Sequence, residues 1–284
     1  MAQEISYNEL LDSVLERMAE IDPNFSVDAT RTSVESDENL RSILIGEEID
    51  TRQWIEVMAK DLTSNHKCQG DCKLRTSYNL HDLFVKKKTV ERELRLQSQQ
   101  ATTKFTVISS DERKRMSSKG YEYIHLDGVE ITCCSNLPPG SDGFVLAAVY
   151  DLRHIKAKEG FLGLMAFPLG LRKSSAVIRT NYCISIQDSI NWAVLICEHG
   201  LKDKFRPYTI RMKSVHKYVR NIGKFTFASD SENEQIFHIP IEASKNVQVI
   251  EAVKQTLCKT STRLLMDNIF NASDREKKMS FEKS

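Results

Sequence analysis

"GFVLAAVYDLRH", residues 143–154, is the stretch on which the fold turns. Seven apolar residues run from Phe144 to Tyr150 and end on Asp151. Successive side chains of a strand point to opposite faces, so a run that is apolar at both parities predicts a central strand covered on both sides. Asp151, Arg153 and His154 then crowd three ionisable groups at the strand end. A hydrolase would use His154 as a base oriented by Asp151, with a cysteine as nucleophile. No G-x-S-x-G is present, and no cysteine stands in a glycine-rich setting. The favoured job for Asp151 is structural: a carboxylate that accepts turn amides or pairs with Arg153.

Outward from this strand the same texture extends over residues 104–229. Short β-branched and aromatic runs are separated by turn residues: "KFTVIS", "YEYIHLDGVEITCC", "GFLGLMAF", "SAVIRTNYCISI", "NWAVLICEH", "YTIRMKSVHKYV" and a further candidate, "KFTFAS". "SNLPPGSDG" is a long turn before the central strand. Most connections are too short for a crossover helix, which points to antiparallel strands in a sandwich or barrel.

The chain ends read differently. "SYNELLDSVLERMAEIDP" places Tyr7, Leu10, Leu11, Val14, Leu15, Met18 and Ile21 on one helical stripe, with Ser6 and Glu9 as a capping box and Asp22-Pro23 as the stop. Residues 24–40 read as a serine-rich linker, "RQWIEVMAKDL" as a short second helix, and "HDLFVKKKTVERELRLQSQQ" as a third. Beyond Asp230, "NVQVIEAVKQTLCKTSTRLLMDNIF" carries Val247, Ile250, Val253 and Leu257 at helical spacing and reads as one or two helices before a charged tail. The expected organisation is a helical arm over 1–100, a β core over 101–230 and a helical extension over 231–284. The expected fold class is mainly β, an antiparallel sandwich between helical extensions.

A net charge of +1 hides an asymmetry: residues 1–60 hold five Lys/Arg and fourteen Asp/Glu. An acidic front and a basic body suggest a polyanion partner, with a solvated acidic arm as the plain alternative. No signal-like opening and no span of membrane length are read, so membrane contact is expected to be peripheral. Seven cysteines, two adjacent, fit a reducing setting better than a disulfide framework. No Walker A or G-x-G-x-x-G sequence is present, which argues against a nucleotide-driven motor. His66, Cys68, Cys72 and His81 are zinc-ligand types at loose spacing; a polar loop with two thiols is the simpler reading, and neither metal nor cofactor is expected.

The strongest candidate site lies in residues 201–224, which hold eight Lys/Arg and one acidic residue. Tyr208, Ile210 and Met212 share one strand parity; Thr209, Arg211 and Lys213 share the other. Lys202, Lys204, Arg206, Arg211, Lys213, Lys217 and Arg220 would meet phosphates. Phe205, Tyr208, Tyr218 and Phe225 would stack on bases, as a sequence-tolerant single-strand binder requires. Lys86 to Lys88 and Arg113 to Arg115 would extend this surface.

From Gly120 to Tyr218 the order of features resembles the 30K superfamily of plant-virus movement proteins. The resemblance rests on "GYEYIHLDGVEI", "NLPPGSDG", "LAAVYDLRH", "GFLGLMAF", "NYCISIQDSINWAVLICEHG" and "RPYTIRMKSVHKYV". Asp151, Arg153 and Gly200 (or Gly163) stand where that family has its signature aspartate, basic residue and glycine; Val149 replaces its usual leucine. The resemblance implies a jelly-roll-like β-sandwich. It also implies a non-enzymatic protein that binds single-stranded RNA, as genome or nucleoprotein, and acts at plasmodesmata. Homo-oligomers, host plasmodesmal, cytoskeletal or ER proteins, host cytoplasm and the periphery of endomembranes belong to the same expectation. A capsid or nucleocapsid protein is the first rival reading, and a small Cys/His hydrolase the second.

Overall fold

The computed structural model describes residues 7–22, 24–36, 38–64, 86–95, 102–154, 157–201, 207–220, 237–238 and 248–262. The chain divides into two compact units, one drawing on Met1–Ser64, His154–Gly160 and Ile250–Ser284, the other on Asn65–Arg153 and Phe161–Val249.

The helical unit holds α1 (Tyr7–Ile21), α2 (Val27–Ser36), α3 (Glu38–Ser64), the short α5 (Ala157–Gly160) and, from Ile250, the helix α6 over residues 248–262. Leu11, Val14, Leu15 and Met18 of α1 form a core with Val34 and Leu44. The serine-rich stretch read as a linker is therefore helical over Val27–Ser36 and again from Glu38. Val34 supplies its apolar anchor, and Ser26 Oγ accepts from the Ala29 amide at 3.4 Å as a cap. The short second helix is the second half of the 27-residue α3. Helices α1, α3 and α6 meet in this unit. Arg17 donates to Glu48 and to Cys258, Lys254 pairs with Glu56 at 2.8 Å, and Lys259 with Glu20 at 3.0 Å.

The β unit holds β1 (Lys86–Leu94), β2 (Thr102–Thr106), α4 (Ser110–Ser117), β3 (Tyr123–Ser135), β4 (Phe144–Asp151), β5 (Phe161–Pro168), β6 (Lys173–Ser185), a 3-10 turn (Asp188–Asn191), β7 (Trp192–His199), β8 (Tyr208–Val219) and the short β9 (Phe237–His238). Two sheets face each other, ordered β1-β8-β3-β6 and β2-β7-β4-β5-β9. All pairings are antiparallel except β5 with β9. Strands that follow one another mostly alternate between sheets, which is the double Greek-key wiring of a jelly roll. The expected fold class holds.

Two elements differ from the sequence reading. Residues 86–94 were expected in a third helix and form the edge strand β1, in register with β8 from Lys86↔Tyr218 to Leu94↔Ile210. Val90 and Leu94 are four apart, a spacing that fits both periods; pairing with a distant strand decides between them. The β unit thus begins ahead of residue 101. β9 arises in a segment read as polar extension. The expected strand over "KFTFAS" and the caps at Ser6 lie outside the described residues.

The core between the sheets takes one parity of each strand: Val145, Ala147 and Val149 of β4, Met165 and Phe167 of β5, Trp192, Val194 and Ile196 of β7, and Ile210, Met212 and Tyr218 of β8. The other parity of β4, Leu146, Ala148 and Tyr150, is equally buried, as the apolar run predicts. β4 is flanked by β5 and β7 along its length, which places its last residue, Asp151, opposite Trp192.

Candidate functional site

Asp151 is 1 % exposed. A carboxylate that deep needs charged or hydrogen-bonding partners, and Arg153 supplies them two residues on. The Arg153 amide donates to Oδ1 at 3.1 Å; its Nε lies 3.0 and 3.1 Å from the two oxygens, and Nη2 donates to Oδ2 at 2.7 Å. The far side of the guanidinium faces Asp188, with Nη1 3.7 Å from Oδ2. Asp188 is itself held by Ser185, whose hydroxyl donates to it at 2.9 Å and accepts from its amide at 3.1 Å. The Leu152 amide donates to the Asn191 carbonyl at 2.9 Å. The end of β4 is thereby clamped to the 3-10 turn that opens β7. Asp151 closes a strand end, as its sequence context predicts. Ser185 and Asp188 complete the clamp. No local signal marks them, because they reach Arg153 only through sheet pairing.

The chain leaves the β unit directly after Arg153 and re-enters it at Phe161. His154 Nδ1 lies 3.8 Å from Glu159. Two thiols of the β sandwich are made poor nucleophiles by burial, which pushes Cys133 up to about 12, with Cys134 adding to it, and Cys183 up to about 11.

Both candidate signature glycines have structural jobs. Gly200 has φ +76, and a Cβ there would lie 3.0 Å from the Cα of Gly143, itself at φ +106. The two glycines let β4 and β7 close against each other at the end opposite the Asp151 clamp. Gly143 sits in the quoted stretch and was not singled out. Gly163 pairs with Val149 beside a bulge: Tyr150 pairs with Phe161, and Leu162 is skipped.

β8 keeps the parity read from sequence but uses it differently. Tyr208 and Tyr218, expected to stack on bases, point into the core at 6 % and 1 % exposure. Apolar faces of a sandwich pack inward, so these rings are not offered to a ligand. The Tyr218 hydroxyl donates to Glu112 at 3.0 Å. On the outer face Arg211 is exposed, while Lys213 Nζ lies 3.3 Å from Glu130 and Lys217 Nζ 3.6 Å from Asp127. Asp127 is the residue skipped in the β3 bulge between Leu126 and Gly128. The bulge aims it at His125, 2.7 Å away, and at Lys87, 3.8 Å away. Burial raises the Asp127 carboxyl, but the His125 bond and the charges of Lys217, His125 and Lys87 outweigh it and hold it below the usual range. The basic strand is therefore partly neutralised by carboxylates on β3, which a single-strand reading does not register. Lys202, Lys204, Arg206, Phe205 and Phe225 lie outside the described residues, as do His66, Cys68, Cys72 and His81. No group of three metal-ligating side chains occurs among the described residues.

A second charged centre surrounds Glu112 on the inward face of α4. Lys88, Arg115 and Tyr218 all donate to it. Burial raises this carboxyl, and the bonds from Lys88 and Tyr218 with the charges of Lys88 and Arg115 reverse the shift, leaving it low. Arg220, also expected at the nucleic-acid surface, is exposed and lies over the Tyr121 ring at 5.3 Å.

No curated protein matches the chain. Among solved structures, a chain of the Cocksfoot mottle virus structure aligns at 8% identity, covering 58% of this chain and 98% of that one, with a TM-score of 0.34. A chain of the turnip yellow mosaic virus structure aligns at 13% identity over 55% of this chain and 90% of that one, with a TM-score of 0.35. The family model described as viral movement protein (MP) matches residues 56–233. That range holds the eight sandwich strands, the Asp151–Arg153 clamp and the Gly143–Gly200 contact, and the chain belongs to the viral movement protein family.

Proposed function

We propose that this movement protein binds single-stranded RNA without strong sequence preference and carries the viral genome, as RNA or nucleoprotein, from cell to cell through plasmodesmata. The observation that carries the reading is the family match over residues 56–233, which spans strands β1 to β8. Exposed cations on the β unit, Arg211 and Arg220 among them, supply the chemistry for sequence-independent phosphate contact. The protein acts by binding and assembly rather than by catalysis: Arg153 grips the Asp151 carboxylate a hydrolase would need, and the Cys133 and Cys183 thiols are raised far above neutrality. Homo-oligomers and host plasmodesmal, cytoskeletal or ER proteins are its partners in this reading. It works in the host cytoplasm, at cell junctions and at the periphery of endomembranes; no helix among the described residues is long and apolar enough to cross a membrane.

The test is a fluorescent fusion in leaf epidermis together with RNA-binding measurements on the full chain. Punctate accumulation at cell walls, spread between cells and binding to unrelated RNA sequences are the expected results. Diffuse signal without spread would overturn the transport reading. A capsid-type RNA-binding role is the second reading, favoured by the jelly-roll wiring that viral coat domains share. It would be marked by closed shells instead of junctional foci.

A further inference from the structure

The helix α4 has two faces with opposite chemistry. Glu112 and Met116 face inward and are buried. Ser110, Arg113, Lys114 and Ser117, at positions i, i+3, i+4 and i+7, share the other face. With Ser118, and with Gln187 from the turn after β6, these side chains line a cleft of about 430 Å³. No carboxylate and no apolar residue lines it. Arg113 Nε is enclosed and has no hydrogen-bond partner. The neighbouring cation Arg115 is already engaged by Glu112, whereas Arg113 and Lys114 form no ion pair among the described residues.

We infer that this cleft is a phosphate-binding site that seats the backbone of single-stranded RNA. The inference rests on the RNA-binding reading above and gives it a location. A guanidinium, an ammonium and serine hydroxyls are donors matched to phosphate oxygens. No aromatic ring lines the cleft, so it offers no stacking platform and reads the phosphodiester rather than the base. The site sits beside the signature clamp: Gln187 lines the cleft, and Asp188, next in the chain, faces Arg153. The acids nearest in sequence do not line it. Asp111, exposed in the first turn of α4, is not among the lining residues, and Glu112 is turned inward to Lys88, Arg115 and Tyr218.

The test measures binding of a fluorescein-labelled oligouridylate to the full chain over a salt series. Arg113→Ala/Lys114→Ala should flatten the slope of log K against log salt by about 1.4, at about 0.7 for each lost phosphate contact. Lys173→Ala, an exposed cation at the start of β6, should leave the slope unchanged. Gln187→Glu, nearly isosteric on the other wall, should weaken binding by introducing a carboxylate. Inorganic phosphate exchanged for chloride at constant ionic strength should displace the RNA from the parent chain and less from the double variant. A parent chain that binds RNA while Arg113→Ala/Lys114→Ala keeps the full slope would overturn the cleft and leave RNA binding standing. Phosphate competition lost in the double variant with an unchanged RNA slope would make the cleft a small-anion site and also overturn the inference. A parent chain that does not bind oligouridylate would overturn both readings. Thermal melts of each variant verify that the fold survives, and Gln187→Glu keeps the inference testable if the double variant does not fold.

Discussion

Arg153 holds Asp151 in a fork, with Nε 3.0 and 3.1 Å from the two carboxylate oxygens and Nη2 2.7 Å from Oδ2. The carboxylate is buried, and the guanidinium side chain is 30 % exposed. The pair sits where β4 ends, so it fixes the position of the turn that follows. Removing either partner leaves the other with unmet hydrogen bonds. Asp151→Ala and Arg153→Ala should each destabilise the fold by about 1–3 kcal/mol. The double variant should cost less than the sum, because the two residues share one interaction. Urea melts of the four proteins measure the coupling; strict additivity would show that the fork contributes nothing as a pair. Spread between leaf cells should fall with Asp151→Ala while RNA affinity changes little, since a carboxylate does not attract phosphate.

Gly200 and Gly120 share a left-handed backbone, φ +76 and +75, but differ in surroundings. A Cβ at Gly120 meets nothing within 4 Å; at Gly200 it would lie 3.0 Å from Gly143 Cα. Gly120→Ala should therefore cost about 1–2 kcal/mol, the conformational penalty alone. Gly200→Ala should cost more, because backbone must also move. Equal melting temperatures for the two variants would remove the Gly143–Gly200 contact as a determinant of the strand end.

His216 is fully buried on the inward parity of β8, and neither ring nitrogen has a hydrogen-bond partner. Burial lowers it to about 4; Glu112 and Asp127 act in the opposite direction, and Lys88 adds to the lowering. The folded value lies below the unfolded one, so the stabilising contribution is complete above about pH 6.5 and is lost as pH falls toward 4. Between pH 7 and pH 5 the β unit should lose about 2 kcal/mol from this group. Glu112 and Asp127 are also held low, so their contributions disappear further down, below about pH 4. His216→Gln should flatten the decline between pH 7 and 5 and leave the lower one in place. Denaturant melts at these pH values provide the check.

Lys213 and Lys217 meet Glu130 and Asp127 across the strands, and Arg211 stands exposed between Glu93 and Thr132 in register. Arg211→Ala should flatten the RNA salt slope by about 0.7. Glu130→Gln releases Lys213 from its carboxylate and should tighten RNA binding and steepen the slope. A Glu130→Gln protein that binds RNA no better than the parent would take the outer face of β8 out of the binding surface.

The chain's sequence by itself determined the local elements: the stripe of α1, the turn at Pro138 and Gly140, six strands from β3 to β8, and the parity of β8. Those signals reside in neighbouring residues, where period, turn chemistry and β-branching act over a few positions. The apolar run from Phe144 to Tyr150 required a strand covered on both faces, and an aspartate beyond it required partners. Tertiary structure decided what depends on residues far apart in the chain. Val90 and Leu94 fit a helix or a strand equally until β8 paired with them. Lys213 and Lys217 read as free cations until β3 set carboxylates beside them, whereas Arg113 and Lys114, a minor feature of the sequence, lie on a free face of α4. Tyr208 and Tyr218 read as stacking rings until their parity became the core side of the sheet. Burial and charge neutralisation are set by neighbours across strands, and strand order exists only in the folded sandwich.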